Sequence, residues 1–142
     1  MRLVKHLLEG KENAVHSIAP DRPVLDAIRM MADKYVGALL VMQGDTLIGI
    51  VSERDYARKV ILKGKSSADT PVSDIMTSPV LSVVPGDSAH RCMRLMTEKR
   101  IRHLPVVEDS RVVGVLSIGD LVKAVIDEQA AELEQLQRYI VG

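Results

Sequence analysis

The sequence contains no Trp and no Phe, and only three Tyr among 142 residues. Stacking of bases on aromatic rings is nearly closed to it, which counts against single-stranded nucleic acid as a ligand. There is no charge excess: Lys plus Arg is 19 and Asp plus Glu is 19. A dedicated nucleic-acid binder normally carries a basic surplus. The one cysteine, Cys92, cannot close a disulfide within the chain. No stretch reaches the 18 or so uninterrupted apolar residues of a membrane span. The opening segment, Met1 to Gly10, carries Glu9 and lacks the apolar region of a secretory signal. The expectation is a soluble protein in a reducing, cytoplasmic setting, with neither nucleic acid nor membrane as partner.

What is present is ordinary globular material, with 46% hydrophobic and 27% charged residues. Val, Ile, Leu and Met must fill the core. A chain of this size buries roughly 68% of its unfolded surface, enough to dispense with staples. The main feature is internal repetition. A shift of 65 residues aligns Pro20–Ile61 with Pro85–Ile126 without a gap, and 11 of the 42 pairs are identical. Among them are Met31/Met96, Leu39/Leu104, Gly49/Gly114, Ser52/Ser117 and Asp55/Asp120. Just upstream, Ser17 and Ile18 align with Ser82 and Val83. Two copies of about 60 residues are too few and too long for a common solenoid. Two units packed about a pseudo-twofold axis are expected instead.

Each unit reads β-α-β-β-α. In the first, Val15–Ile18 is a strand, and a helix begins at Pro20-Asp21, with Asp21 a good N-cap. Val24, Ala27, Ile28 and Met31 carry its helical period through Tyr35. Strands at Ala38–Met42 and Leu47–Val51 flank a turn at Gln43-Gly44-Asp45, and a helix covers Glu53–Leu62. In the second, strands are expected at Leu81–Val84, Leu104–Val107 and Val112–Leu116, and a helix at Ser88–Lys99 capped near Asp87. A long helix runs from about Gly119 to Gln137. The division is residues 1–64, a polar linker at 65–71, and residues 72–142. Val72–Met76 is a lead-in turn, with Val4–Leu8 as its counterpart. On the last helix Leu121, Val122, Val125, Ile126, Leu133, Leu136 and Ile140 form an apolar stripe. It serves either packing within the chain or a dimer seam.

The chemistry lies at the strand-to-helix junctions. Gly49-Ile50-Val51-Ser52-Glu53-Arg54-Asp55 matches Gly114-Val115-Leu116-Ser117-Ile118-Gly119-Asp120, a shared Gly-x-x-Ser-x-x-Asp. Ser followed three residues later by an acid is also a capping box. Three features point beyond a cap. The Gly recurs, as where a backbone must be approached closely. The acid is Asp twice, although Glu is the usual box partner. A helix N-terminus suits an anion or polar ligand, and a carboxylate beside it can accept both hydroxyls of a ribose. In the second unit Arg100, Arg102 and His103 bring positive charge to a helix–strand corner, where guanidinium suits phosphate. As a solvated basic turn the same run would mean nothing. The first unit has Gly37 and Ala38 there, but Arg54 where the second has Gly119. The two sites are therefore not equivalent.

The repeated β-α-β-β-α unit, the Gly-x-x-Ser-x-x-Asp motif and the lead-in Asp74-Ile75-Met76-Thr77 together resemble a tandem pair of cystathionine-β-synthase (CBS) domains. The resemblance covers nearly the whole chain and extends to stand-alone CBS-pair proteins with no attached enzyme or channel. It implies an α+β fold of two repeats with clefts between them. It also implies a regulatory, energy-sensing binding module for AMP, ADP, ATP or NAD, with S-adenosylmethionine a further candidate, that signals by conformational change. By motif, Asp55 and Asp120 hold the ribose, and Ser52 and Ser117 lie near phosphate or ribose. Arg54, Arg102 and His103 are the phosphate candidates. Val36, Gly37, Ala38, Ile101, Met76 and Thr77 line the clefts. Ser17, Ile18 and Gly119 complete the implied nucleotide-binding set. Gly37 departs from the pattern, because a basic residue there would match Arg102.

Cys92 aligns with Ala27 and reads as a small core residue. His6, His16 and His90 are scattered, and no spacing suggests a metal site. No catalytic constellation stands out, so the chain is read as a non-enzyme. A homodimer acting on an unidentified regulated protein is expected. A purely structural dimerisation module, with motifs that only cap helices, is the alternative.

Overall fold

A computed structural model describes residues 2–11 and 14–141. The chain forms two compact units, and they do not follow the division read from the sequence. One is Val15–Leu81. The other is Ser82–Gly142 together with Met1–Ala14.

In the first unit, β1 (Ser17–Ile18) pairs in parallel with β2 (Ala38–Gln43), which pairs antiparallel with β3 (Thr46–Ser52). Helix α2 (Val24–Lys34) follows β1 and buries Val24, Ala27 and Met31, the face that its 3.6-residue period dictated. Its N-terminus corrects the sequence reading. The N-cap position is Pro23, with no side-chain cap, and Asp21 plays no such part. The first two helical N–H groups donate to the carbonyls of Thr70 and Ser67 at 2.8 and 3.0 Å. The stretch expected to be a linker thus satisfies the orphan donors that every helix start exposes. After β3 the chain forms α3 (Glu53–Tyr56) and continues as a π-helical turn over Ala57–Ile61, in place of one regular helix.

The second unit repeats this plan. Here α1 (Val4–Glu9) precedes α4 (Ala89–Lys99), an antiparallel pair of β4 (His103–Glu108) and β5 (Arg111–Ser117), and α5 (Ile118–Val141). The strand expected at Leu81–Val84 is reduced to a bridge between Val83 and Val106. Ser88 caps α4 by accepting from Arg91 N at 3.1 Å, while Asp87 pairs with Arg91. Both two-stranded ladders shift register at matching points, Val41/Met42 and Val106/Val107. Both helices before them end in a left-handed residue, Tyr35 and Arg100.

The cores correspond residue by residue. Ile18, Ala27, Met31, Leu39, Val41 and Val51 in one match Val83, Cys92, Met96, Leu104, Val106 and Leu116 in the other. Each buried Val, Leu, Ile or Met among them contributes roughly 1.5–3 kcal/mol. The lead-ins are exchanged. Val72 and Ile75 complete the core of the first unit, and Val4, Leu7 and Leu8 that of the second. The backbone bonds match too. Val72 N donates to Arg22 O as Val4 N does to Asp87 O, and Val24 N to Thr70 O as Ala89 N does to Arg2 O. Cutting the chain at residues 64 and 72 would therefore divide both cores.

The α5 stripe divides in two. Leu121 and Ala124 are buried in the second unit, while Val122, Ile126, Leu133, Leu136 and Ile140 are exposed. Packing within the unit accounts for the first turns only.

Candidate functional site

The motif builds the same corner in each unit. In the first, Ser52 ends β3 opposite Ala38, and Glu53 N donates to Gly37 O at 3.1 Å. In the second, Ser117 ends β5 opposite His103, and Ile118 N donates to Arg102 O at 2.9 Å. Val36–Ala38 and Ile101–His103 are thereby fixed beside their motif Ser and Asp.

Both acids close a capping box. Asp55 Oδ2 accepts from Ser52 N at 3.0 Å and from Ser52 Oγ at 3.1 Å, and Asp55 N donates to Ser52 Oγ at 3.2 Å. Asp120 Oδ2 accepts from Ser117 N at 2.8 Å, and Asp120 N donates to Ser117 Oγ at 3.2 Å. The cap weighed against a binding role is thus fully formed. It occupies mainly one oxygen of each carboxylate, and an ionised carboxylate offers about four acceptor positions.

Each acid also holds a lysine. Lys59 Nζ lies 3.1 Å from Asp55 Oδ1 and donates to Ile75 O at 2.9 Å. Lys11 Nζ lies 2.8 Å from Asp120 Oδ2 and donates to Val115 O at 2.7 Å. Neither lysine was in the set read from the sequence. Lys59 had a local signal, one helical turn after Asp55. Lys11 had none, although Ala124, which aligns with Lys59, left the second acid without that partner. Burial works to raise the Asp120 carboxyl, but hydrogen bonds from Lys11 and Ser117 outweigh it and hold it below its ordinary value. Burial pushes the His103 imidazole down. Asp120 draws it back up, while Lys11 and Arg102 push it further down. Asp120, Lys11 and Arg102 therefore all act on His103.

The motif glycines are approached closely, as expected, and by side chains of the lead-ins. A Cβ at Gly49 would stand 2.5 Å from Met76 Sδ, and one at Gly114 would stand 2.7 Å from Leu8 Cδ2. The close approach comes from the exchanged lead-in. Met76 is spent on this contact, and Thr77 is bridged to Ile50 by two backbone bonds. Arg54 stands half-buried on the first turn of α3. Gly119 is exposed, and a Cβ there would meet nothing nearer than Ser117 Oγ at 3.6 Å.

Ser17 and Ile18 lie on β1, beside the strand that faces Ser52. They line an open groove of about 460 Å³ with Arg22, Asp26, Arg29 and Met30 of the α2 side, which Ser52 and Asp55 do not line. Ile18 itself is 6% exposed and belongs to the core. Among the described residues no group of His, Cys, Asp and Glu is arranged to hold a metal ion, and no helix is long and apolar enough to cross a membrane.

The family model for the CBS domain matches residues 12–62 and again 72–127. The chain belongs to the CBS domain family. The CBS domain-containing protein CBSX3, mitochondrial, of Arabidopsis thaliana is 46% identical over 127 residues, 86% of this chain. The chain spans 62% of that relative's length. A solved CBS-domain protein from Burkholderia ambifaria MC40-6 is 48% identical, with a TM-score of 0.87 over 90% of this chain and 96% of its own. CBS domain protein PAE2072 from Pyrobaculum aerophilum, solved in complex with AMP, is 29% identical. Its TM-score is 0.77 over 92% of this chain and 99% of its own. The α+β fold of a CBS pair agrees with the expectation.

Proposed function

We propose that this CBS pair is a regulatory module that binds an adenosine ligand, AMP, ADP, ATP or NAD, with S-adenosylmethionine a further candidate. The observation that carries the reading is the corner built twice, in which a carboxylate is fixed beside a helix start. The AMP complex of the Pyrobaculum relative supports it. Asp55 and Asp120 take the ribose hydroxyls. Ser52 and Ser117 lie beside them, and Arg54, Arg102 and His103 meet phosphate. Val36, Gly37, Ala38, Ile101, Met76 and Thr77 form cleft walls, with Gly119, Ser17 and Ile18 completing the set. The role is binding and signalling in a cytoplasmic setting, with no chemical step. The exposed half of α5 joins two copies as a homodimer, and a regulated protein responds to the ligand. Such a response requires unequal affinity for two conformations.

Calorimetric titration with AMP, ATP, NAD and S-adenosylmethionine tests this, and absence of binding by all four defeats it. The completed capping boxes favour a second reading, a ligand-free dimerisation module. Asp55→Glu and Asp120→Glu separate the two. A longer acid still caps, whereas a site fitted to a sugar diol loses affinity with little change in Tm.

A further inference from the structure

Resting on the adenosine reading, we infer that Lys11 makes the Asp120 corner selective for ligands bearing a di- or triphosphate, and that the Asp55 corner has no such preference. Lys11 lies outside both aligned repeats, yet its ammonium is fixed 2.8 Å from Asp120 Oδ2 and 2.7 Å from Val115 O.

The charge balance around the two corners decides the direction. Around Asp55 stand Glu53, Arg54 and Lys59, two acids against two bases. The positions matching Arg102 and His103 are Gly37 and Ala38. Around Asp120 stand Lys11 and Arg102 as permanent cations, Ile118 in place of Glu53, and His103 as a third group that can charge. Lys11 sets the sign. Without it, Asp120 would cancel Arg102 and leave an approaching phosphate no net attraction. With it, Lys11, Arg102 and Asp120 sum to a positive charge among the described residues, and the carboxylate remains ionised. Each further phosphoryl group adds negative charge, so the attraction grows along the series from adenosine to ATP.

Space agrees with charge. At Gly119 there is no side chain, and the nearest atom to a built Cβ is Ser117 Oγ at 3.6 Å. The corresponding position in the first unit is filled by the half-buried Arg54. A phosphate chain meets no side chain at position 119. Arg102, exposed at the entry to β4, supplies a planar fork for phosphate oxygens.

Amide NMR titration of the full chain with adenosine, AMP, ADP and ATP, without magnesium, reads the corners separately through Ser117 and Asp120 or Ser52 and Asp55. In the unaltered protein ATP should bind the Asp120 corner at least about tenfold more tightly than adenosine, about 1.4 kcal/mol. At the Asp55 corner, where Arg54 already meets one phosphate, ATP and AMP should agree within about threefold, which is under 1 kcal/mol. Lys11→Met should abolish the ATP preference, and Lys11→Arg should retain it. Rising salt should weaken ATP but not adenosine at the Asp120 corner of the unaltered protein, a check that needs no variant. Equal losses of ATP and adenosine in Lys11→Met, or a triphosphate preference at Asp55, overturn this inference and leave the adenosine reading standing. No shift at either corner with any of the four overturns this inference and leaves NAD and S-adenosylmethionine to decide the adenosine reading.

Discussion

Lys11 Nζ lies 2.8 Å from Asp120 Oδ2, joining the N-terminal segment to the acid of the second motif. The pair is about 30% exposed on the lysine side and 26% on the acid side. A double-mutant cycle with Lys11→Met and Asp120→Asn should give a coupling energy of about 1 kcal/mol in urea unfolding. Additive losses would mean that the contact holds nothing in place.

Gly49→Ala and Gly114→Ala should both destabilise, but unequally. At Gly114 the obstacle is Leu8 Cδ2, the far end of a side chain that can rotate. At Gly49 it includes Met76 Cγ at 3.0 Å and Met76 Cβ at 3.2 Å, which are tied to the backbone. Denaturant midpoints should place Gly49→Ala about 1–3 kcal/mol below the parent, with Gly114→Ala the milder change. The reverse order would show that the lead-in of the first unit moves more freely than its contacts imply.

Acid should destabilise the fold in two steps. His103 is held below its ordinary value of 6.5, so below that pH the unfolded chain takes up a proton before the folded one does. Stability falls from about pH 6.5 down to the folded pKa and is then flat with respect to this group. Asp120 is held below 3.8, so its contribution is present above that pH and lost as pH falls through its folded pKa. In melting curves against pH, His103→Gln should remove the upper step and keep the lower.

Cys92 should be inert in the folded protein. It is fully buried, and burial, with Asp87 adding to it, pushes its thiol up to about 11. Since the thiolate is the reactive species, iodoacetamide at pH 8 should label it only after denaturation. Rapid labelling of the native protein would mean that the core of the second unit opens readily.

Leu133 and Leu136 are each more than half exposed on a helix that continues well past its last buried residue, Ala124. Replacing both with Gln should convert the proposed homodimer to a monomer in sedimentation, with helix content retained. A variant that still sediments as a dimer would remove α5 from the dimer contact.

Much of this protein follows from local order. The helical period of Val24, Ala27 and Met31 and the Ser-x-x-Asp caps depend on neighbours within a few positions, and the 65-residue repeat shows each pattern twice. Sequence therefore determined the unit, its two motifs and the unequal charge at their corners. It could not assign Asp21 correctly, because the donors that Asp21 might have capped are met by Ser67 and Thr70, more than 40 residues away. It showed that Gly49 and Gly114 are approached closely but not by what, and Met76 and Leu8 fill the space. It missed Lys11 entirely. Which lead-in completes which core, and which ammonium meets which carboxylate, are matters of long-range packing. No periodicity records them, because the contacting residues share neither a helix turn nor a strand register.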